Sequence, residues 1–439
     1  MIERTKQRSK TTRNVALLVL TSLVVAACTT GDDGIFATIA LERRSTSRNL
    51  NDDAAILGVV QTDGDQVFAL VGNQVFWRDL SSNTWAGIST PSVSGGEWRP
   101  IGLVGLDTNT ANGTGVVEEL YVHAQFDTTD SSATARTVVF RMSGTSFGSI
   151  VLDSAAGASP VETIGGMEAI EDHLVVSTAD SGGTYLLYSF DNGFTADDWA
   201  GADSHAFPMV GAVSSGQDIV DSDVSSTTAL FVGESGGLFR LPLVVDLGSG
   251  GAAGTALQLV TLPHSAGSPG PRPRGIDLGT SVVVSGTGSP VGELWIVADG
   301  SNDLGRIFVN ESPDPNSGAW VEVDTEASLS FSDALWVSGT NSALLVGTFT
   351  NLTPDTNTSA DGLRRIALTR NAFDNYSGTA SDDLGRSYEA VELSDAAIRS
   401  LDLVQTTQTT LYAQTSGSGL WSVPSFAETA PDNREWIWE

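Results

Sequence analysis

The chain has 439 residues, with 53 acidic against 22 basic side chains, four histidines and one cysteine, and a formal charge of −31. No basic stripe exists to release nucleic-acid counterions, so nucleic acid is a poor partner. A lone cysteine excludes disulfides and thiolate zinc sites, and His123, His173, His205 and His264 lie too far apart for a metal-ligand spacing.

The chain opens with Arg4, Lys6, Arg8, Lys10 and Arg13 against Glu3, and an apolar run follows over residues 15–28. A basic, then apolar, then small-residue order is the layout of an export signal. Its apolar part is shorter than the ~20 residues a spanning helix needs. Val25-Ala26-Ala27-Cys28 resembles the lipobox of bacterial lipoproteins. That resemblance implies that residues 1–27 are a removed signal peptide and that Cys28 carries fatty acyl chains such as palmitate. Residues 28–34 then form a short tether, and the membrane is a partner through the anchor. Thr29 after the cysteine favours, by the same resemblance, the outer membrane of the bacterial cell envelope. Residues 29–34 reach ~20 Å at most. Without residues 1–27 the chain has 17 arginines, no lysine and 52 acids, a formal charge of −35. Lysine-base and Schiff-base chemistry are thereby excluded; a salty habitat is the leading account of the charge, and a cationic ligand, or a neutral one such as a glycan, is the alternative.

From residue 35 to 439 the sequence reads as one domain built on a repeat. The unit is an apolar strand, a polar or glycine-bearing connection and a second apolar strand. Copies begin at Val67, Leu120, Leu174, Leu230, Leu294, Leu344 and Leu411, at spacings of 53, 54, 56, 64, 50 and 67 residues. Short apolar segments precede the hairpins, as at 56–60, 101–105 and 401–404. Others follow, as at 84–88, 319–323 and 388–393. Four strands per unit and seven units predict an all-β, seven-bladed β-propeller of four-stranded antiparallel blades; a β-solenoid is the alternative. Residues 35–41 are expected to fill the outer edge of the last blade and close the ring, with residues 435–439 competing for that place.

Ser189-Phe-Asp191-Asn-Gly193-Phe-Thr195 and Ser381-Asp-Asp383-Leu-Gly385 resemble the Asp-box turns of neuraminidase-type propellers (BNR repeats). Both are read as lying between third and fourth strands, where the resemblance makes Asp191 and Asp383 structural turn residues. Ser301-Asn-Asp303-Leu-Gly305 is similar but falls inside a hairpin. Phe239-Arg240-Leu241-Pro242 resembles the arginine motif of sialidases, yet Leu420-Trp-Ser-Val-Pro424 repeats it in the seventh unit, which marks a hairpin end. No cofactor is implied, with one reservation. Asp355, Asn357, Ser359 and Asp361 alternate oxygen ligands as calcium prefers, and Asp299, Ser301 and Asp303 form a weaker set.

The polar insertions at 125–135, 262–274 and 349–362 share one face of such a ring, and loops on rigid scaffolds carry function. Trp98, Arg99, Arg272 and Arg274 are the aromatic and cationic groups placed there. The leading expectation is a lipid-anchored binding or interaction module for an unknown protein or glycan, not an enzyme. A propeller glycosidase or lyase acting on surface polysaccharide is the alternative, and a scaffold subunit of an envelope assembly is a third. A raised-pKa carboxylate beside a second acid in a cleft would favour hydrolysis. An Arg- and Trp-bearing rim would favour binding.

Overall fold

The computed structural model describes residues 50–439 except 51–54, 63–65, 80, 83, 107–118, 129–135, 156–162, 171, 180–184, 191–203, 211–217, 226, 243–255, 265–269, 283–290, 302–303, 316–319, 326–329, 339–342, 350–361, 371–375, 383–392, 394–395, 406–408 and 428–435. The lipobox, the Asp355–Asp361 set and residues 35–41 therefore lie outside the described residues.

Blade 1 is β1 (Ile56–Gln61), β2 (Gln66–Val71), β3 (Gln74–Asp79) and β4 (Ala86–Ile88). Blade 2 is β5 (Gly96–Leu106), β6 (Glu119–Thr128), β7 (Arg136–Ser143) and β8 (Ser146–Asp153). Blade 3 is β9 (Thr163–Ile170), β10 (His173–Ala179), β11 (Tyr185–Phe190) and β12 (Ser204–Val210). Blade 4 is β13 (Ile219–Val224), β14 (Thr228–Gly233), β15 (Leu238–Pro242) and β16 (Leu257–Leu259). Blade 5 is β17 (Pro273–Val282), β18 (Val291–Ser301), β19 (Leu304–Asn310) and β20 (Val321–Thr325). Blade 6 is β21 (Ser330–Val337), β22 (Ala343–Phe349), β23 (Leu363–Arg370) and β24 (Tyr376–Asp382). Blade 7 is β25 (Ile398–Gln405), β26 (Thr409–Thr415), β27 (Leu420–Val423) and β28 (Ile437–Trp438). Seven antiparallel four-stranded blades make a seven-bladed β-propeller, as the repeat predicts.

The second strand of each blade is apolar on both sides because each side meets a different neighbour. In β18, Leu294, Ile296 and Ala298 pack toward blade 6, while Trp295 and Val297 pack toward blade 4. Side chains alternate across a strand, so only a continuous apolar run serves both interfaces. A core cluster lies between each pair of consecutive blades. The last joins Val67 and Val71 of blade 1 to Tyr412 and Leu420 of blade 7, which closes the ring. Burial of each such large side chain contributes roughly 1.5–3 kcal/mol.

Two expectations are corrected. The outer edge of blade 7 is taken by β28, where Trp421 pairs with Trp438 and Ser422 with Ile437. Residues 437–438 thus hold the place expected for 35–41. They are fixed there by Trp436, which is buried, and by the neighbouring Glu439 carboxylate, which pairs with Arg78 of blade 1 at 3.0 Å. The Leu50 N–H also donates to the Glu439 carbonyl at 3.2 Å, so both ends of the described chain meet at this seam. In blade 6 the outer strand is β24, paired along β23 from Arg364↔Asp382 to Arg370↔Tyr376, instead of residues 388–393. Leu393 packs into the cluster between blades 6 and 7. Ser381 is accordingly inside the fourth strand, so the second Asp-box-like segment does not lie between the third and fourth strands.

Candidate functional site

The inner strands β1, β5, β9, β13, β17, β21 and β25 surround the propeller axis, and all seven line one cavity of about 460 Å³. In all seven the ladder to the second strand slips by one residue, as between Ile219 and Asp221 or between Phe331 and Asp333. Such bulges bend the strand and re-aim its side chains. Close approach near the axis also selects glycine. A Cβ on Gly166 would fall 1.7 Å from the Ile219 carbonyl oxygen, and one on Gly275 would fall 2.3 Å from an Asp333 carboxylate oxygen.

Among the described residues, six carboxylates line this cavity: Glu168 from β9, Asp221 and Asp223 from β13, Asp277 from β17, Asp333 from β21 and Asp402 from β25. No Lys, Arg or His is among the described residues that line it. Four of the aspartates stitch one blade to the next. Asp221 accepts the Ile276 N–H at 2.6 Å, and Asp223 accepts that of Leu278. Asp277 accepts the Trp336 N–H, and Asp333 accepts those of Leu401 at 2.7 Å and, within its own blade, Ala334 at 2.7 Å. Asp402 is held by the Gln414 side-chain amide. Inner strands expose unpaired backbone donors at the axis, and these carboxylates satisfy them.

Crowding so many acids in a protein-walled cavity disfavours their charged forms. Burial, then the charges of Asp402 and Asp333, pushes Glu168 up to about 8. Burial raises Asp333 to about 7, and raises Asp223 and Asp402 to about 6 despite the hydrogen bonds each accepts. Asp221 and Asp277 are held well above the usual carboxylate range, first by burial and then by neighbouring acids. Glu168, which also lines the cavity, differs from the rest in that no hydrogen bond from the described residues holds its carboxyl. Ser222 also lines the cavity, but its hydroxyl is buried out of reach of it, with no hydrogen-bond partner among the described residues. The wall from blades 1 and 2 is uncharged by contrast, with Val59, Val60, Leu103 and Val104 beside the polar Gln61 and Thr62.

The residues singled out by sequence sit elsewhere. Trp98 is 4% exposed, packed against Phe126 and Phe140 under the Arg136 guanidinium, so its ring belongs to the core of blade 2 and not to a rim. Arg99 is exposed and donates to Asn73 of blade 1 at 2.8 Å. Arg274 donates to the Glu234 carbonyl of blade 4 at 3.2 Å, and Arg272 is exposed. These residues fall in blades 2 and 5 and are not brought together. Ser189 is the penultimate residue of β11 and is buried, while Asp191, Gly193 and Thr195 lie outside the described residues, as do Asp383 and Gly385. Arg240 is committed to Asp314 at 2.7 Å and Gln258, as a hairpin-end residue would be. Asp299 is bound to Arg306 at 2.6 Å and accepts the Arg272 N–H. His123 is buried, which pushes its imidazole down to about 4.

These features define a seven-bladed propeller with an acidic axial channel. No family model matches the chain, and no curated protein matches it. Among solved structures it is similar to a chain of a mitotic checkpoint complex, at 10% identity over 85% of this chain and 90% of that one, with a TM-score of 0.43. It is similar to the extracellular domain of a hybrid two-component system from B. thetaiotaomicron, at 12% identity over 88% of this chain and 40% of that one, with a TM-score of 0.49. A computationally designed protein matches at 8% identity over 84% and 96%, with a TM-score of 0.41.

Proposed function

We propose that this chain is a lipoprotein of the bacterial cell envelope, anchored through Cys28, whose propeller is a binding module. What supports binding is the axial cavity itself, a preformed site built by seven separate blades on a rigid scaffold. What supports anchoring is the lipobox at residues 25–28 behind a basic and apolar leader. Two arms test the reading. Cys28→Ser should move the full-length protein out of the membrane fraction; unchanged retention defeats the anchor. The full-length protein in detergent should bind a component of a glycan and envelope-protein array without consuming it.

A second reading has its own observation: Glu168 keeps its proton near neutral pH beside other acids, as a general acid does. Hydrolysis needs a second free carboxylate, however, and five of the six accept hydrogen bonds that hold the blades or the channel wall. Binding is therefore placed first. Turnover of any glycan on the array would reverse that order.

A further inference from the structure

We propose that the aspartates bridging blades 4 to 7 form a proton-operated joint. Protonated, they hold the inner strands of that arc together; on losing protons they let its axial edge spread while the ring stays closed. This concerns the ring itself and depends neither on the anchor nor on what the module binds. The first argument is where the bonds lie. Asp221 and Asp223 reach from blade 4 to the Ile276 and Leu278 N–H groups of blade 5. Asp277 reaches on to the Trp336 N–H of blade 6, and Asp333 to the Leu401 N–H of blade 7. The Ser400 hydroxyl of blade 7 also donates to Asp333, at 3.2 Å. Among the described residues, no carboxylate ties β1, β5 or β9 to the next inner strand in this way.

The second argument is a proton that the geometry requires. The Asp223 and Asp277 carboxyl groups, from neighbouring blades, are hydrogen-bonded to each other. Ionised carboxylates only accept, so one of the two carries a proton. Asp277 is the donor: burial and then the Asp223 charge hold it well above the ordinary range, whereas Asp223 lies at about 6. Without that proton, two negative charges meet inside the wall. The other ionisable groups lining the cavity are Glu168 from β9, Asp221 from β13, Asp333 from β21 and Asp402 from β25. β1 and β5 bring none, and no Lys, Arg or His is among the described lining residues, so nothing there offsets the added charge.

The rim gives the motion its hinge. β12 and β16 pair in parallel at Met209↔Leu257, and β20 and β24 at Asp324↔Ser377, which ties blade 3 to blade 4 and blade 5 to blade 6 at their outer edges. Blade 7 is fastened to blade 1 through Arg78 and Glu439. Spreading at the axis is thus a rotation about the rim. It exposes the acids to water, where they ionise at ordinary values. Opening therefore releases protons, and rising pH favours it.

Hydrogen exchange of the full-length protein in detergent, corrected for the intrinsic rate, tests the joint near pH 5.5 and near pH 8.5. Protection of the Ile276, Leu278, Trp336 and Leu401 amides should fall at least about tenfold at the higher pH, while that of β2 and β6 holds. Asp277→Asn, whose side-chain amide donates to Asp223 and accepts from Trp336 at any pH, should keep the arc protected at both values. Equal protection of the wild-type arc at the two values overturns the proposal. So does a loss shared by β2 and β6, which is general unfolding, or an Asp277→Asn variant that loses protection as the wild type does. Infrared spectra of Glu168→Gln give a reading that leaves the pair intact. The carbonyl stretch of a protonated carboxyl should be present near pH 7, and its absence overturns the shared proton.

Discussion

At the residue scale, one group decides how the channel behaves without a ligand. Glu168 keeps its proton to a pH of about 8 when folded, against an ordinary value near 4.5. The folded state thus binds more protons than the unfolded state between those values, and its stability falls as pH rises through that window. A tenfold difference in proton affinity is worth about 1.4 kcal/mol. Thermal unfolding in ligand-free buffer should therefore occur at a lower temperature near pH 8.5 than near pH 5.5. Glu168→Gln should recover on the order of 2 kcal/mol at the higher pH and flatten the profile. A wild type equally stable at both pH values would refute this account. The aspartates add to the same trend, since Asp333 and Asp402 are also raised by burial.

At the element scale, the inner strands depend on glycine where blades converge. Gly166→Ala would drive its methyl into the backbone carbonyl of Ile219, on the next blade, and should cost several kcal/mol or prevent folding. Gly292→Ala, at the start of β18 with nothing within 4 Å, should change the melting temperature little. Comparable melting of the two variants would show that convergence at the axis is looser than described. The seven central hairpins were legible in sequence because the second strand of each carries an apolar run buried on both faces. The outer strand of blade 6 was not, because Tyr376–Asp382 is short of apolar residues and the more apolar 388–393 drew the assignment. The channel acids were hidden for another reason. Glu168, Asp221, Asp277, Asp333 and Asp402 are 53, 56, 56 and 69 residues apart, and only ring closure makes them neighbours. That spacing echoes the blade period, so acids recurring in inner strands were the available signal. Trp98 misled because an aromatic beside an arginine reads as a rim when it is core.

At the scale of the whole molecule, closure rests on one seam. Arg78 and Glu439 form a buried ion pair between blades 1 and 7, with Arg78 over the Trp85 ring and Ser422 donating to the same carboxylate. Breaking one partner of a buried pair leaves an uncompensated charge and costs about 3–5 kcal/mol. Arg78→Met should lower stability by that order in denaturant unfolding; a loss below about 1 kcal/mol would show that the apolar cluster alone closes the ring. The same seam has a mechanical meaning. Leu50, the first described residue, donates its N–H to the carbonyl of Glu439. Under the proposed anchor, force applied to the membrane end reaches the described residues first at that junction. A propeller pulled from its tether should therefore open like a bracelet at its catch, with blade 1 peeling from blade 7 while the remaining blades stay stacked.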